Sequence, residues 1–101
     1  MGIKCLYTTF NSKDEAKKVS KTVLQEGLCK CVQILAKSDA LYIWENKIQE
    51  DEEFIVIMKT LETKYDALTQ RVGELHSYDC PCVLGINVDS VNEEYLGWMS
   101  L

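Results

Sequence analysis

Residues 41–60 constrain this chain more than any other stretch. They read Leu-Tyr-Ile-Trp-Glu-Asn-Lys-Ile-Gln-Glu-Asp-Glu-Glu-Phe-Ile-Val-Ile-Met-Lys-Thr. That is an aromatic strand, a tight turn at Glu45-Asn46, an acidic patch at residues 50–53 and an apolar strand ending in Lys59-Thr60. Tyr42 and Trp44 stand two apart, so strand geometry puts both rings on one face. Asn46 suits the turn because it tolerates positive φ at lower cost than most other non-glycine residues. A lone hairpin is marginal in water. Its aromatic face therefore needs cover, from the rest of the domain or from another subunit.

The other segments alternate strand and helix. Residues 3–10 are apolar and β-branched enough for a strand. Ser12 and Glu15 then form a capping box. Ala16, Val19, Val23 and Leu24 follow at helical spacing, and Gly27 is a natural stop. A second strand is expected over residues 28–36, with a break at Lys37-Ser38-Asp39 before the hairpin. Residues 54–58 are apolar without alternation, which reads as a central strand buried on both faces. Thr63 and Asp66 are placed to cap a second helix bearing Tyr65, Leu68, Val72 and Leu75. An exit loop over residues 76–81, a strand over 83–88 and a short last helix capped by Asn92 complete the order. The sum is α+β: a ferredoxin-like βαββαβ sandwich with an extended β-hairpin and a short C-terminal helix. Two helices cover one face of the sheet, yet the strands carry apolar residues in consecutive positions. The open face must be covered too, most simply by copies of the same chain. Residues 1–101 are expected to form one domain, with a radius of gyration of about 13 Å.

Charge and cysteine usage narrow the partners. A net charge of −5 opposes a phosphate-binding surface, so no nucleic acid is expected. Apolar runs such as residues 54–58 fall far short of the roughly 20 residues a membrane span needs, and no membrane partner is expected. The first residues carry no apolar signal region and no myristoylation pattern. The five cysteines lack the spacing of a secreted disulfide framework, which points to a reducing compartment and the cytoplasm.

Chemistry concentrates in a few places. Cys29-Lys30-Cys31 and Cys80-Pro81-Cys82 are both Cys-x-Cys on or beside expected strands. Two strand residues separate their α-carbons by roughly 6.6 Å, too long for an easy bridge within either pair. Each pair is either a soft-metal site, with Cu(I) favoured over Zn(II), or two small buried hydrophobes. His76 is the only histidine. It serves either as a C-terminal helix cap or as a metal ligand or proton carrier beside Tyr78, Asp79 and Cys80. The acidic run at 50–53 could hold a hard cation, although such runs are more often solvated edges. A Cys31-His76 pair lacks an orienting third group, and no enzymatic activity is expected.

Taken together, residues 31–34, 42–47 and 50–53, Lys59-Thr60, residues 76–81 and residues 95–98 resemble the CutA divalent-cation tolerance proteins, in order and over nearly the whole chain. The resemblance implies a tight homotrimer, PII-like, with hairpin arms crossing between subunits. It also implies a role in tolerance to copper and other divalent metals, with Cu(II) or Cu(I) as a possible ligand, no required cofactor and no reaction. The family's inter-subunit cleft maps onto Cys31, Trp44, Lys59, His76 and Tyr78. Trp44, Lys59 and Tyr78 are then the ligand contacts, and Cys31, His76 and Cys82 the metal candidates. Asn46, Ser77, Cys29 and Cys82 depart from the family pattern, the two cysteines toward a softer, thiol-rich site. The alternative is a PII-like signalling module whose clefts take up a small metabolite or partner.

Overall fold

The structure, a computed structural model, describes residues 2–101. In chain order they form β1 (Ile3–Phe10), α1 (Lys13–Gln25), β2 (Cys31–Trp44), β3 (Lys47–Leu61), a 3₁₀ turn (Glu62–Lys64), α2 (Tyr65–Leu75), β4 (Val83–Asn87) and α3 (Glu93–Met99). The strands make one antiparallel sheet in the order β2-β3-β1-β4. This is the split β-α-β arrangement expected of the element order.

Local signals place α1 well. Ser12 Oγ accepts the Glu15 N–H at 3.0 Å. Only that half of the capping box forms, because the Glu15 carboxylate turns outward and accepts from the Ser77 N–H and Oγ at 3.0 and 2.9 Å. At the other end Gly27 takes φ +74°. The Gly27 and Leu28 N–H groups then close on the Leu24 and Val23 carbonyls at 3.1 and 3.0 Å, a Schellman-type stop. The second helix starts differently from expectation. The 3₁₀ turn leads into α2, and neither Thr63 nor Asp66 caps it. Asn92 sits at the N-cap of α3 without a side-chain bond to the helix.

The sheet's helix-facing side carries the main core. Leu6, Phe10, Val56 and Met58 meet Ala16, Val19 and Val23 of α1 and Leu68 and Val72 of α2. On the opposite side α3 seals one end, where Met99 packs on Ile3 and Leu61. Beyond that end the open face is uncovered by its own chain. Ile55 and Ile57 are only half-buried, so β3 is not buried on both faces within one chain, and Leu84 and Ile86 of β4 are exposed.

The largest departure from expectation is the arm. Lys37-Ser38-Asp39 does not interrupt β2. The register steps from Ile34↔Val56 to Lys37↔Phe54, so Leu35 and Ala36 together oppose Ile55. This is a one-residue β-bulge. It moves β2's even-numbered side chains from the helix side, where Val32 and Ile34 lie, to the open side, where Tyr42 and Trp44 lie. A strand of 14 residues spans about 46 Å at strand rise, and the molecule's longest extent is also 46 Å. The arm therefore sets the long axis and raises the radius of gyration to 14.4 Å. Its turn holds both Glu45 (φ 50°) and Asn46 (φ 64°) in left-handed geometry, as a two-residue type I′ hairpin requires.

Candidate functional site

The six residues singled out by sequence fall into three places. Cys31 and Lys59 are cross-strand partners on the open face, and Cys5 follows Lys59 in the same row. Tyr95 of α3 closes over them. The Lys59 ammonium lies 5.6 Å from its ring centroid. Burial, then the neighbouring Cys31 thiol, raises the Tyr95 phenol above its ordinary value. Burial likewise raises the Cys5 thiol, against the pull of Lys59. Lys59 forms no ion pair among the described residues.

A second group lies at the other end of the sheet. His76 ends α2, its backbone N–H on the Val72 carbonyl at 2.9 Å, and its ring is buried. The ring stacks on Phe10 with centroids 4.3 Å apart and planes 11° from parallel. Its Nε2 lies 2.7 Å from the Thr9 carbonyl, which can only accept, so Nε2 carries the proton. Nδ1 accepts the Tyr78 N–H at 3.2 Å. Both nitrogens are therefore committed within the chain, and the ring can ligate a metal only by giving one up. The capping role expected of His76 is real but is made by its backbone, with the imidazole pinning the following loop to β1.

Tyr78, tilted against His76 with centroids 4.6 Å apart, donates to Glu53 Oε2 at 2.8 Å. Thr9 Oγ donates to the same oxygen at 3.1 Å. Burial, then this bond, pushes the Tyr78 phenol far up. Burial, then the Glu53 charge, also raises the neighbouring Cys82 thiol. Glu53, Thr9, Glu15 and Tyr95 are the participants that sequence reading did not assign. Glu53 was hidden in a run that reads as a solvated edge.

Trp44 stands at the arm tip, paired with Lys47 and half exposed. Thirteen strand residues separate it from Cys31, roughly 40 Å. Glu53 and Lys59 lie six residues apart on β3, roughly 20 Å. One chain thus brings together Cys31 with Lys59 and His76 with Tyr78, and keeps these pairs apart from each other and from Trp44. Among the described residues no three His, Cys, Asp or Glu side chains are grouped to hold a metal ion.

The remaining thiols separate by environment. Cys29 is buried in the main core. Burial, and after it the neighbouring Cys31, pushes its thiol up to about 12, against the pull of Lys64. At pH 8 only about one part in 10⁴ would be thiolate, the reactive form. Cys80 is exposed. Iodoacetamide on folded, reduced protein should therefore label Cys80 at pH 8 and leave Cys29 untouched, with Cys29 labelling rising about tenfold per pH unit. Peptide mapping by mass spectrometry reads this. Equal rates at the two positions would contradict the buried placement of Cys29.

Comparisons with known proteins agree with one another. The family model described as CutA1 divalent ion tolerance protein matches residues 4–101. The chain is 47% identical over 94 residues to the divalent-cation tolerance protein CutA of Pyrococcus horikoshii, covering 93% of this chain and 91% of that one. It superposes on the crystal structure of CutA1 from Ehrlichia chaffeensis with a TM-score of 0.95 at 27% identity, covering 98% and 92% of the two chains. The structure of the CutA protein from Archaeoglobus fulgidus, described as periplasmic, gives 0.93 at 32% identity, with 97% and 95% covered.

Proposed function

Because the chain belongs to the CutA1 divalent ion tolerance protein family, we propose that it acts in divalent-cation tolerance as a homotrimer, PII-like, binding copper or a similar metal in clefts between subunits. The observation that carries this reading is the scattering of the candidate residues. Cys31 and Lys59 occupy one end of the open face, Tyr78, Glu53 and Cys82 the other, and Trp44 the arm tip. Only a neighbouring chain can bring the arm of one copy to the sheet of another. The exposed apolar surface argues the same way. Leu41, Ile43 and Ile48, 63%, 67% and 72% exposed in one chain, share one face of the arm, and Trp44, 52% exposed, lies on the other; exposed apolar surface of this kind marks interfaces.

Metal ligands would be pooled across subunits. Cys82 beside Glu53 offers a thiol and a carboxylate, a pairing suited to Zn(II) or copper. Cys31 offers a second thiol, with Lys59 as its cross-strand partner. We place the protein in the cytoplasm, where its five free thiols suit a reducing environment. No helix among the described residues is long and apolar enough to cross a membrane.

Sedimentation should give about three times the 11.6 kDa chain mass. Zn(II) or Cu(I), titrated into reduced protein under anaerobic conditions, should bind the wild type and lose at least tenfold in affinity with Cys31→Ser, Cys82→Ser. A monomer, or binding unchanged by that variant, overturns the reading. The unpaired Lys59 ammonium over Tyr95 favours the second reading, a PII-like cleft that takes up a small anionic metabolite. Saturable binding of an anion, lost in Lys59→Gln while metals leave no trace, would decide for it.

A further inference from the structure

Cys80 and Cys82 sit differently from what their spacing in the sequence implies. They lie two apart beside an expected strand, but β4 begins only at Val83, residues 78–80 form a bend, and residues 81 and 82 belong to no strand. The roughly 6.6 Å that separates α-carbons two apart in a strand is therefore not imposed on this pair. Both thiols are free and exposed. Cys29 and Cys31 share the spacing but are held in place. Cys29 is buried, Cys31 is in register with Lys59 in the sheet, and the Lys30 N–H between them bonds the Lys59 carbonyl at 3.2 Å.

The loop that carries Cys80 and Cys82 is pinned at both ends and untied between them. Tyr78 donates its phenol to Glu53 and its N–H to His76, and Val83 pairs with Thr8 in the sheet. Asp79, Cys80, Pro81 and Cys82 make no hydrogen bond or ion pair among the described residues. Pro81 holds its φ at about −65°. That value suits extended and helical backbone alike, so rotation about the Pro81 ψ alone changes the distance between its two neighbours. A disulfide accepts α-carbons about 4.4–6.8 Å apart and is most relaxed near about 5.5–6 Å. Closing by about 1 Å from strand spacing is enough.

We propose that Cys80 and Cys82 form a modification site for low-molecular-weight disulfides of the glutathione class, closing reversibly into a bridge within one chain. The thiolate of one cysteine attacks the reagent, forms a mixed disulfide and expels one glutathione thiolate. The thiolate of the other attacks the protein-bound sulfur, and the second glutathione thiolate leaves. Two protein thiols are oxidised to one disulfide, one glutathione disulfide is reduced to two thiols, and the protons released by the cysteines go to the leaving thiolates. A bridge across a single residue is strained and so readily reduced, which makes the change reversible. Cys82 is one of the thiols proposed above as metal donors, so closure takes a donor from that site. That consequence rests on the function proposed above, and the bridge itself does not.

The full chain, reduced, is treated with excess glutathione disulfide, its remaining thiols are blocked with iodoacetamide, and tryptic peptides are mapped by mass spectrometry without reduction. Residues 72–101 carry no Lys or Arg and hold Cys80 and Cys82 as their two cysteines. The bridge therefore registers within one peptide, as the loss of two hydrogens with no alkylation and no bound glutathione. Most wild-type chains should reach this form, and dithiothreitol should restore both thiols. Cys80→Ser and Cys82→Ser should each stop with glutathione on the remaining cysteine, at a level at least tenfold above what the wild type retains there. Wild-type protein that keeps glutathione on both cysteines, or that links either one to Cys5, Cys29, Cys31 or another chain, overturns the proposal. So does a peptide left with two alkylated thiols. Mapping of the wild type keeps the result decisive if a variant folds poorly.

Discussion

Replacing His76 by alanine should lower stability by about 3–4 kcal/mol, because three interactions end at once. The buried ring leaves a void against Phe10, on which it stacks at 4.3 Å. The Thr9 carbonyl loses its Nε2 donor, and the Tyr78 N–H loses Nδ1 as acceptor. His76→Phe separates these parts. It keeps a stacked ring and should recover the packing while still costing about 2 kcal/mol for the two orphaned groups. Urea unfolding at one fixed protein concentration measures both, the concentration being held because the proposed assembly would add to stability. A loss below about 1 kcal/mol for the alanine variant would mean that the ring is not the anchor of the loop that follows α2.

The second large effect concerns assembly rather than folding. Ile43 and Ile48 face each other across the arm and stand 67% and 72% exposed in one chain. Lysine at both positions removes little from the chain's own packing. In the proposed trimer, however, each isoleucine's burial is worth about 1.5–3 kcal/mol and recurs in three subunits, on the order of 10 kcal/mol in all. Ile43→Lys, Ile48→Lys should sediment as a folded species near 11.6 kDa, with a circular dichroism spectrum close to that of the parent. An unchanged trimer mass would show that the arm tip plays no part in assembly.

Legibility in the sequence followed the range of the physics. The first helix could be read residue by residue because its cap, its apolar period and its glycine stop all act within a turn or two of the backbone. The hairpin turn was legible for the same reason. The bulge was not. Lys37-Ser38-Asp39 looks like a break when strands are judged by apolarity, but an arm that reaches past the helices is wet on both sides, and polarity there carries no message about pairing. The candidate site shows the same division. His76 and Tyr78 are two apart, and their proximity could be inferred. Glu53 takes its role from Thr9, 44 residues away, and Glu15 from Ser77, 62 residues away. No local pattern announces either. The Ser-x-x-Glu motif was half misleading, since the same carboxylate that fits a capping box here ties the loop after α2 to the first helix.

The extra residue opposite Ile55 makes the second strand unevenly tolerant of changes in its length. One residue can be lost at Leu35 or Ala36 with every pair from Lys37↔Phe54 outward preserved, because the spare residue is what disappears. A deletion between Ser38 and Trp44 has no such slack. It must be absorbed by slippage of the whole arm or by rebuilding its tip, and slippage by one position would turn Tyr42 and Trp44 away from the side they now face. Natural variation in chain length among related arms should therefore collect at the bulge and at the turn, and spare the stretch between them.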